Sequence, residues 1–153
     1  RVRTNTLGQK ARLMPELVQR VAAKAVIETD SGILILKPSA IDANPKWHFP
    51  GGMRDEISEK IEDTARREVA EETGIDLTNE VGKVLRVGEW PGYDKGEHVK
   101  ILAVFYYYRL FGKQAVRLCH EHDDFAWVDE TTVRQYTANA EVYEVMEQLG
   151  NHA

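Results

Sequence analysis

Residues 59–75 read EKIEDTARREVAEETGI, and this stretch decides how the rest of the chain is interpreted. Because a helix turns by about 100° per residue, Ile61, Ala65 and Val69 fall on one apolar stripe. On the same helical wheel Glu68 and Glu72 lie about 20° to either side of Ile61, in the middle of the inward-facing side. A helix that only covers a core would carry apolar residues at these positions. The two carboxylates therefore indicate a functional site rather than a solvated acidic face.

The ends of this helix are also marked in the sequence. Ser58 can serve as the N-cap, because its hydroxyl can accept a hydrogen bond from the first turn. Gly74 occupies the position after the helix where a left-handed residue belongs. The pattern predicts a helix from Ser58 to Thr73.

Glu71 adds a third carboxylate, three residues after Glu68. Clustered oxygen ligands without a cysteine or a paired histidine favour Mg²⁺ or Mn²⁺ over zinc. Such ions are usually held by a few carboxylates together with substrate phosphates. A metal ion would also explain how a chain with a net charge of −5 binds an anionic ligand.

The stretch resembles the Nudix box, the pattern G-x5-E-x7-R-E-U-x-E-E-x-G-U, in which U is a bulky aliphatic residue. From Glu59 to Ile75 the chain matches this pattern at every specified position. It departs from the pattern before Glu59, since six residues rather than five separate that glutamate from Gly52. The matching residues are Gly52, Glu59, Arg67, Glu68, Val69, Glu71, Glu72, Gly74 and Ile75.

The resemblance implies a hydrolase in which water attacks a phosphorus atom of a nucleoside diphosphate linked to a further group, X. It implies that Glu68, Glu71 and Glu72 bind Mg²⁺ or Mn²⁺, which would neutralise the phosphates. Glu71 and Glu72 are also predicted to be catalytic, and the sequence does not separate the general base from the metal ligand.

Arg67 and Glu121 complete the predicted catalytic set. By resemblance Arg67 holds Glu59 and the preceding loop in place; the alternative is a surface arginine paired with Asp63 or Glu71. Some Nudix enzymes take a further metal ligand or a general base from the acidic segment before the last strand, here residues 121–127. On that basis Glu121 is predicted to be catalytic and His122 to bind substrate. The alternative for both residues is a polar turn.

Four further residues are predicted to bind substrate. Gly51 and Gly52 let the backbone approach a metal or phosphate closely, because neither has a Cβ. Trp47 can stack on a base or a sugar, although a tryptophan on a short strand more often belongs to the core. Tyr93 has the same two interpretations. Cys119 carries no functional signal in the sequence, and no His/Cys pair is interpreted as having metal-ligand spacing.

Strand and helix patterns are mixed along the chain without regular alternation. The predicted fold class is therefore α/β (α+β), a Nudix-like α/β/α sandwich with a mixed β-sheet. The predicted domains are an N-terminal arm or lead-in at 1–20 and a single Nudix hydrolase domain at 21–153. A polar loop at Pro91–Glu97 is expected to overhang the site. The other predicted elements are a hairpin at Val21–Lys37, strands at Lys46–Gly52, Val81–Trp90, Val99–Leu110 and Phe125–Val128, and helices at Glu130–Tyr136 and Ala138–Leu149.

Composition limits the classes of partner. A net charge of −5 over 153 residues argues against binding a nucleic-acid polymer, which requires a basic surface. No apolar stretch approaches the roughly 20 residues of a membrane helix, and no signal peptide is visible. The single cysteine forbids an internal disulfide and suits a reducing compartment, so we expect a cytoplasmic location. The resemblance adds a homodimer as an expectation, since many Nudix proteins are dimers.

Markers for the substrate conflict. Pro91 lies sixteen residues after Ile75, a spacing that resembles the ADP-ribose group of the family. Tyr93 lies eighteen residues after it, which resembles the dinucleoside polyphosphate group. Residues 121–127 with Thr137–Ala140 resemble nucleotide-sugar hydrolases of the GDP-mannose type. The predicted substrates are therefore nucleoside triphosphates, nucleotide sugars or dinucleoside polyphosphates. The alternatives are a nucleotide-sugar hydrolase of the GDP-mannose type and a non-catalytic Nudix-like domain that binds a nucleotide for regulation.

Overall fold

A computed structural model describes residues 16–39 and 44–151. These residues form one six-stranded sheet, two α-helices and a short 3-10 helix. The strands are β1 Gln19–Thr29, β2 Gly32–Pro38, β3 Gly51–Met53, β4 Lys83–Asp94, β5 Glu97–Arg109 and β6 His122–Val128. The helices are α1 Ile61–Thr73, the 3-10 helix Thr132–Gln135 and α2 Ala140–Gly150.

The sheet is mixed, in the order β4-β5-β1-β2-β6, with β3 paired to β1. β1 and β5 are parallel, and the other pairs are antiparallel. One edge of β1 is shared by two partners, since its C-terminal end pairs with β2 and Ala22–Lys24 pair with β3. This division of β1 places the Pro-Gly-Gly segment in the centre of the sheet.

The two faces of the sheet are covered by different helices. Ala65 and Val69 of α1 pack in a cluster with buried residues of β1 and β2, among them Leu34. Val142 and Val145 of α2 pack in a second cluster on the other side. The predicted α/β/α sandwich with a mixed sheet is therefore confirmed.

The predicted start of α1 is wrong. The helix begins at Ile61, and its N-cap residue is Lys60, which makes no side-chain capping bond. Glu59 lies just before it, and its carboxylate accepts a hydrogen bond from Thr64 Oγ1 at 2.6 Å. The side-chain capping bond that Ser58 was expected to accept is therefore absent at the N-cap Lys60, and Glu59 accepts a bond from the first turn instead. The predicted end is confirmed, since Gly74 has φ 72° and its N–H donates to Ala70 O.

The predicted overhanging loop at Pro91–Glu97 is also wrong. β4 continues to Asp94, and β5 begins at Glu97, so only Lys95 and Gly96 form the turn. Both turn residues have positive φ, which suits a two-residue hairpin turn. Pro91 is accommodated because β4 is an edge strand, where a missing N–H does not break the sheet.

Several other predicted bounds change. The hairpin of β1 and β2 is confirmed, but Gln19 and Arg20, which were placed in the N-terminal arm, already belong to β1. Most of the predicted arm, residues 1–15, lies outside the described residues. The last strand begins at His122 rather than Phe125, and the segment predicted as a helix from Glu130 forms only a 3-10 turn. Within residues 16–39 and 44–151 no helix has the length and apolar character to cross a membrane.

Candidate active site

The Pro-Gly-Gly segment is built into the sheet by backbone hydrogen bonds. Leu36 and His48 exchange two such bonds, at 2.8 and 3.0 Å, and Ala25 N donates to Pro50 O at 2.9 Å. Phe49 is buried between them. The segment therefore reaches α1 in a fixed position, and β3 follows at Gly51.

Gly51 joins β3 to the end of α1. Its N–H donates to Glu72 Oε1 at 2.8 Å, in a buried hydrogen bond. Its φ of +147° is one that L side chains rarely adopt, and a Cβ here would collide with Ala23 O and lie 2.8 Å from Lys24 Cα. Glycine is required at this position because the backbone of β1 leaves no room for a side chain.

Gly52 faces the other inward carboxylate. A Cβ on Gly52 would lie 2.6 Å from Glu68 Cδ, so the absence of a side chain makes the space that this carboxylate occupies. The extra residue between Gly52 and Glu59 is taken up in the loop that follows β3. The two adjacent glycines thus contact the two inward-facing glutamates of the helix, Gly51 with Glu72 and Gly52 with Glu68.

Arg67 connects the loop to the helix. Its Nε donates to Glu59 Oε2 at 2.9 Å, its Nη2 donates to Met53 O at 3.1 Å, and its Nη1 donates to Glu68 Oε1 at 2.9 Å. The contacts that the resemblance implies for Arg67 are therefore present. Of the two alternative partners, Asp63 is bound by Arg66 at 2.9 Å, whereas Glu71 does lie 3.5 Å from Arg67 Nη1. Whether Arg67 matters for catalysis stays a prediction.

The inward carboxylates lie in a desolvated environment. The Glu72 side chain is only 4% exposed, and burial raises its pKa to about 7 against the opposing effects of the Gly51 N–H and of Lys24. The Glu68 side chain is 16% exposed, and burial raises its pKa too, although Arg67 opposes the shift. Arg67 is shared between Glu68 and Glu59, so the desolvated carboxylates outnumber the cations beside them. Such carboxylates gain energy from a divalent ion, and oxygen atoms are the ligands that Mg²⁺ and Mn²⁺ prefer. The residues present fit such an ion.

Glu71, the third predicted ligand, is placed differently. Its side chain is 58% exposed, and its carboxylate lies 3.5 Å from Arg67 Nη1. It is therefore on the flank of the pair formed by Glu68 and Glu72.

Lys24 is a member of the site that sequence reasoning missed. It lies half-buried on β1, its stem packs under Gly51, and its Nζ donates to Phe49 O at 3.5 Å. Burial lowers its pKa, while the negative charges of Glu72, Glu141 and Glu68 oppose that shift. The only signal in the sequence was one lysine within the otherwise apolar run Val21–Ile27.

Glu121 and His122, at the start of β6, lie beside the residues of the Nudix box. His122 is buried, and its Nε2 lies 3.1 Å from Glu72 Oε2 and 3.1 Å from His48 Nε2. Burial lowers the pKa of His48 to about 3, assisted by the charge of Lys24. Glu121 is exposed, and its negative charge is among the influences that raise the pKa of Glu72. The structure thus brings Glu121, His122 and the box together, and it adds His48.

The interpretation that no His/Cys pair has ligand spacing is wrong. Cys119 Sγ lies 3.9 Å from His122 Nδ1. Cys-x-x-His is a spacing that a four-residue turn can close, because such a turn brings residues i and i+3 together.

Trp47 and Tyr93 make contacts with neighbouring aromatic residues. Trp47 is half-buried and packs edge-on against Tyr136, with ring centroids 4.8 Å apart. Tyr93 is exposed on the β4–β5 hairpin, where its hydroxyl lies 2.8 Å from His98 Nε2. Their roles in binding substrate stay predictions.

A cavity of about 630 Å³ opens on the face of the sheet that α2 covers. Trp90 and Phe105 provide aromatic walls, with ring centroids 6.5 Å apart, and Arg86 lies over the Phe105 ring at 5.8 Å. Lys24 lines the cavity and so lies between it and the box carboxylates. The full lining consists of Lys24, Arg86, Gly88, Glu89, Trp90, Phe105, Asn139, Ala140, Glu141 and Glu144.

Comparisons with known proteins agree with this arrangement. The family model of the NUDIX domain matches residues 18–149. A search of curated proteins finds no match. Because the family model covers most of the chain and the box geometry is in place, this chain belongs to the Nudix family and is a hydrolase of the class that acts on pyrophosphate bonds.

Solved structures share the fold at low sequence identity. The MutT protein from Methanosarcina mazei Go1 is 23% identical with a TM-score of 0.69, covering 91% of this chain and 98% of that chain. The NUDIX domain of NrtR from Shewanella oneidensis, solved with ADP ribose, is 21% identical with a TM-score of 0.69, covering 92% and 91%. The dihydroneopterin triphosphate pyrophosphohydrolase of E. coli is 21% identical with a TM-score of 0.68, covering 90% and 100%.

Proposed function

We propose that this chain is a divalent-metal-dependent hydrolase that cleaves the pyrophosphate linkage of a nucleoside diphosphate linked to X, by attack of water on phosphorus. The observation that carries the proposal is the pair of desolvated carboxylates, Glu68 and Glu72, each set against a glycine of β3. A structural helix would gain nothing from burying two like charges one turn apart.

Glu68, Glu71 and Glu72 would hold the ion in this proposal. Mg²⁺ or Mn²⁺ supplies charge neutralisation at the phosphate oxygens, without which an anionic substrate resists attack by water. Arg67 keeps Glu68 in place by a 2.9 Å bond and Gly51 keeps Glu72 in place, so the chain fixes its own ligands before substrate arrives. Glu71, Glu72 and Glu121 are the candidates for the general base.

The cavity supports the assignment of a nucleotide as substrate. Its volume of about 630 Å³ is in the range of small-molecule sites, and the half-buried Trp90 offers an aromatic surface to a base. Lys24 at the boundary can place its ammonium group against a phosphate oxygen. The base would then lie against Trp90 while the phosphates extend towards Glu68 and Glu72.

A substrate panel tests the proposal. Nucleoside triphosphates, ADP-ribose, nucleotide sugars and dinucleoside polyphosphates are incubated with Mg²⁺ or Mn²⁺, and the products are identified as nucleoside monophosphate, phosphate or pyrophosphate. The reaction is repeated in water enriched in oxygen-18, because the labelled product identifies the phosphorus atom that is attacked. Turnover that persists at full rate in excess chelator would overturn the metal-dependent mechanism.

The alternative of a non-catalytic nucleotide-binding domain is tested in the same experiment. A domain of this kind would bind one member of the panel, measured by calorimetry, and release it unchanged. The complete set of box carboxylates favours turnover, since binding alone does not require them. The cytoplasmic location and the homodimer are part of the same proposal, and sedimentation of the full chain measures the second of these.

A further inference from the structure

The turn that leads into β6 gathers three metal-ligating side chains of different types. Cys119, Glu121 and His122 each offer one ligand atom, and these atoms all lie within 4.8 Å of one another. A thiol and an imidazole distinguish this group from the all-oxygen box. We propose that Cys119, Glu121 and His122 form a second metal site, selective for Zn²⁺ or a similar thiophilic divalent ion.

The backbone holds these residues together before any ion arrives. His122 N donates to Cys119 O at 3.3 Å, which closes the turn. Cys119 N donates to Glu72 O at the end of α1, also at 3.3 Å, and Ser39 N after β2 donates to Glu121 O at 2.8 Å. Because the turn is attached to the helix and to the sheet, an ion would not have to order a free loop. Preorganisation of this kind favours affinity.

The hydrogen bonds of His122 leave one ring nitrogen free for a metal. Its side chain is 4% exposed, so both nitrogens must find partners inside the protein. Nε2 lies 3.1 Å from both Glu72 Oε2 and His48 Nε2. The Nδ1 atom of His48 lies 2.9 Å from Phe49 O, a carbonyl that only accepts, so neutral His48 has its proton on Nδ1 and its Nε2 accepts, which places the His122 proton on Nε2. The Nδ1 atom of His122 then presents a lone pair towards Cys119 Sγ, 3.9 Å away. A carboxylate behind a ligating histidine is the arrangement that orients imidazoles at many zinc sites.

The separations suit zinc better than magnesium. Zn–S and Zn–N bonds of about 2.3 and 2.1 Å place a tetrahedral sulfur and nitrogen roughly 3.6 Å apart. The observed 3.9 Å needs only a small adjustment, and the exposed Glu121 side chain is free to turn inward. Binding releases the thiol proton to solvent, and the resulting thiolate selects zinc over the hard ions that an all-oxygen site prefers. Three protein ligands leave the fourth position to water.

An ion at the proposed second site would affect the Nudix box through the His122 side chain. An ion on Nδ1 fixes the His122 proton on Nε2 and so fixes its bond to Glu72. This consequence rests on the proposed function, because it concerns a predicted ligand of the catalytic ion. We expect Zn²⁺ added at constant saturating Mg²⁺ to lower turnover in the native chain and not in Cys119→Ser.

Cobalt titration tests the site without reference to activity. Co²⁺ replaces zinc and gives a near-ultraviolet charge-transfer band when a thiolate binds it. Cys119 is the only cysteine in the chain, so the band reports on this site alone. In excess Mg²⁺, we expect the band to saturate at one equivalent of Co²⁺ and to disappear when Zn²⁺ is added.

Variants distinguish cobalt binding at the proposed second site from binding at the Nudix box and from binding by the Cys119 thiol alone. Cys119→Ser should abolish the band, Glu121→Gln should weaken cobalt affinity at least about 10-fold, and Glu68→Gln should leave the band unchanged. Thermal unfolding confirms that each variant is folded, and Zn²⁺ should stabilise the native chain but not Cys119→Ser. The proposal is overturned if the folded native chain gives no band, or if the band keeps its strength in both Glu121→Gln and His122→Gln. Both outcomes can be read even if no substrate of the panel is hydrolysed.

Discussion

Gly51 donates its N–H to Glu72 Oε1 at 2.8 Å and thereby attaches β3 to the last turn of α1. The bond is buried, and the positive φ of Gly51 aims the N–H at the carboxylate. Glu72 is thus oriented by main chain rather than by a mobile side chain. Main-chain orientation of a buried carboxylate keeps it in place when no ion is bound.

Gly51→Ala should therefore destabilise the whole protein. A Cβ would collide with Ala23 O on β1 and would require a strained φ, so we expect a loss of at least about 3 kcal/mol in the free energy of unfolding. Urea denaturation measures it. Gly96→Ala is the matched control, because Gly96 also has positive φ but has nothing within 4 Å of the added Cβ. That control should cost only about 1 kcal/mol; equal losses in the two variants would contradict the close approach at Gly51.

Gly52→Ala should separate activity from stability. The added Cβ meets the carboxyl end of Glu68, which is flexible and can move aside. We expect stability to fall by less than about 1.5 kcal/mol, while displacement of Glu68 lowers turnover by about 10²-fold. Paired measurements of unfolding and kcat would contradict this expectation if activity and stability fell together.

The buried face of α1 was predictable from the sequence because it depends on local helix geometry. Ala65, Val69 and Glu72 are all buried in the structure, as the spacing of residues 61–72 required. The left-handed Gly74 followed from its position after the last apolar residue, and backbone sterics alone determine that preference. Features of this kind are encoded within a few residues of one another.

The predictions that were wrong or incomplete concern features that depend on contacts between residues distant in the sequence. Ser58 looked like a cap, but Glu59 is held by Thr64 and Arg67, which delays the start of α1. Lys24 became part of the site because β1 pairs with β3 and β5 on opposite edges, and no short-range pattern reports such pairing. Cys119 and His122 were close in the sequence, yet the turn that joins their side chains is held by Glu72 and Ser39.

The ion pair of Glu59 and Arg67 should make stability depend on pH. Hydrogen bonds from Arg67 and Thr64 lower the pKa of Glu59 from 4.5 to about 2. Because the pKa is depressed in the folded state, the pair stabilises the protein fully above about pH 4.5, and this contribution disappears as pH falls towards 2. We expect Glu59→Gln to cost about 1.5 kcal/mol at pH 6 and progressively less between pH 4.5 and pH 3. Urea denaturation of both proteins in chelator measures the gap, and a gap that stays constant over this range would contradict the depressed pKa.

Glu72→Gln should remove a ligand while keeping the shape of the side chain. Turnover should fall by about 10²–10³-fold, because an electrostatic contribution of about 3–4 kcal/mol is lost. The stability of the metal-free protein should stay level or rise, since one of two like charges is gone. The protection that Mg²⁺ gives against thermal unfolding should shrink as well. Near-native turnover together with full Mg²⁺ protection in this variant would show that the helix does not carry the catalytic metal site.

Lys24→Met should move the affinities for metal and for substrate in opposite directions. The ammonium group lies near Glu72, Glu68 and Glu141, so its positive charge opposes that of a bound divalent ion. The same charge would attract the substrate phosphates. Methionine keeps the apolar stem that packs under Gly51 and removes only the charged end.

We therefore expect Lys24→Met to raise KM by about 10–100-fold, the range for a lost hydrogen bond to a charged group, while Mg²⁺ binds a few-fold more tightly. Substrate kinetics at saturating Mg²⁺ and a Mg²⁺-dependent thermal shift measure the two effects. Lys113→Met is the control, since Lys113 is exposed in the segment after β5, and both quantities should stay at native values. If Lys24→Met weakened the binding of Mg²⁺ and of substrate in parallel, the lysine would be supporting the fold of the site instead of contacting a phosphate. The boundary between the cavity and the box would then have to be assigned to another residue.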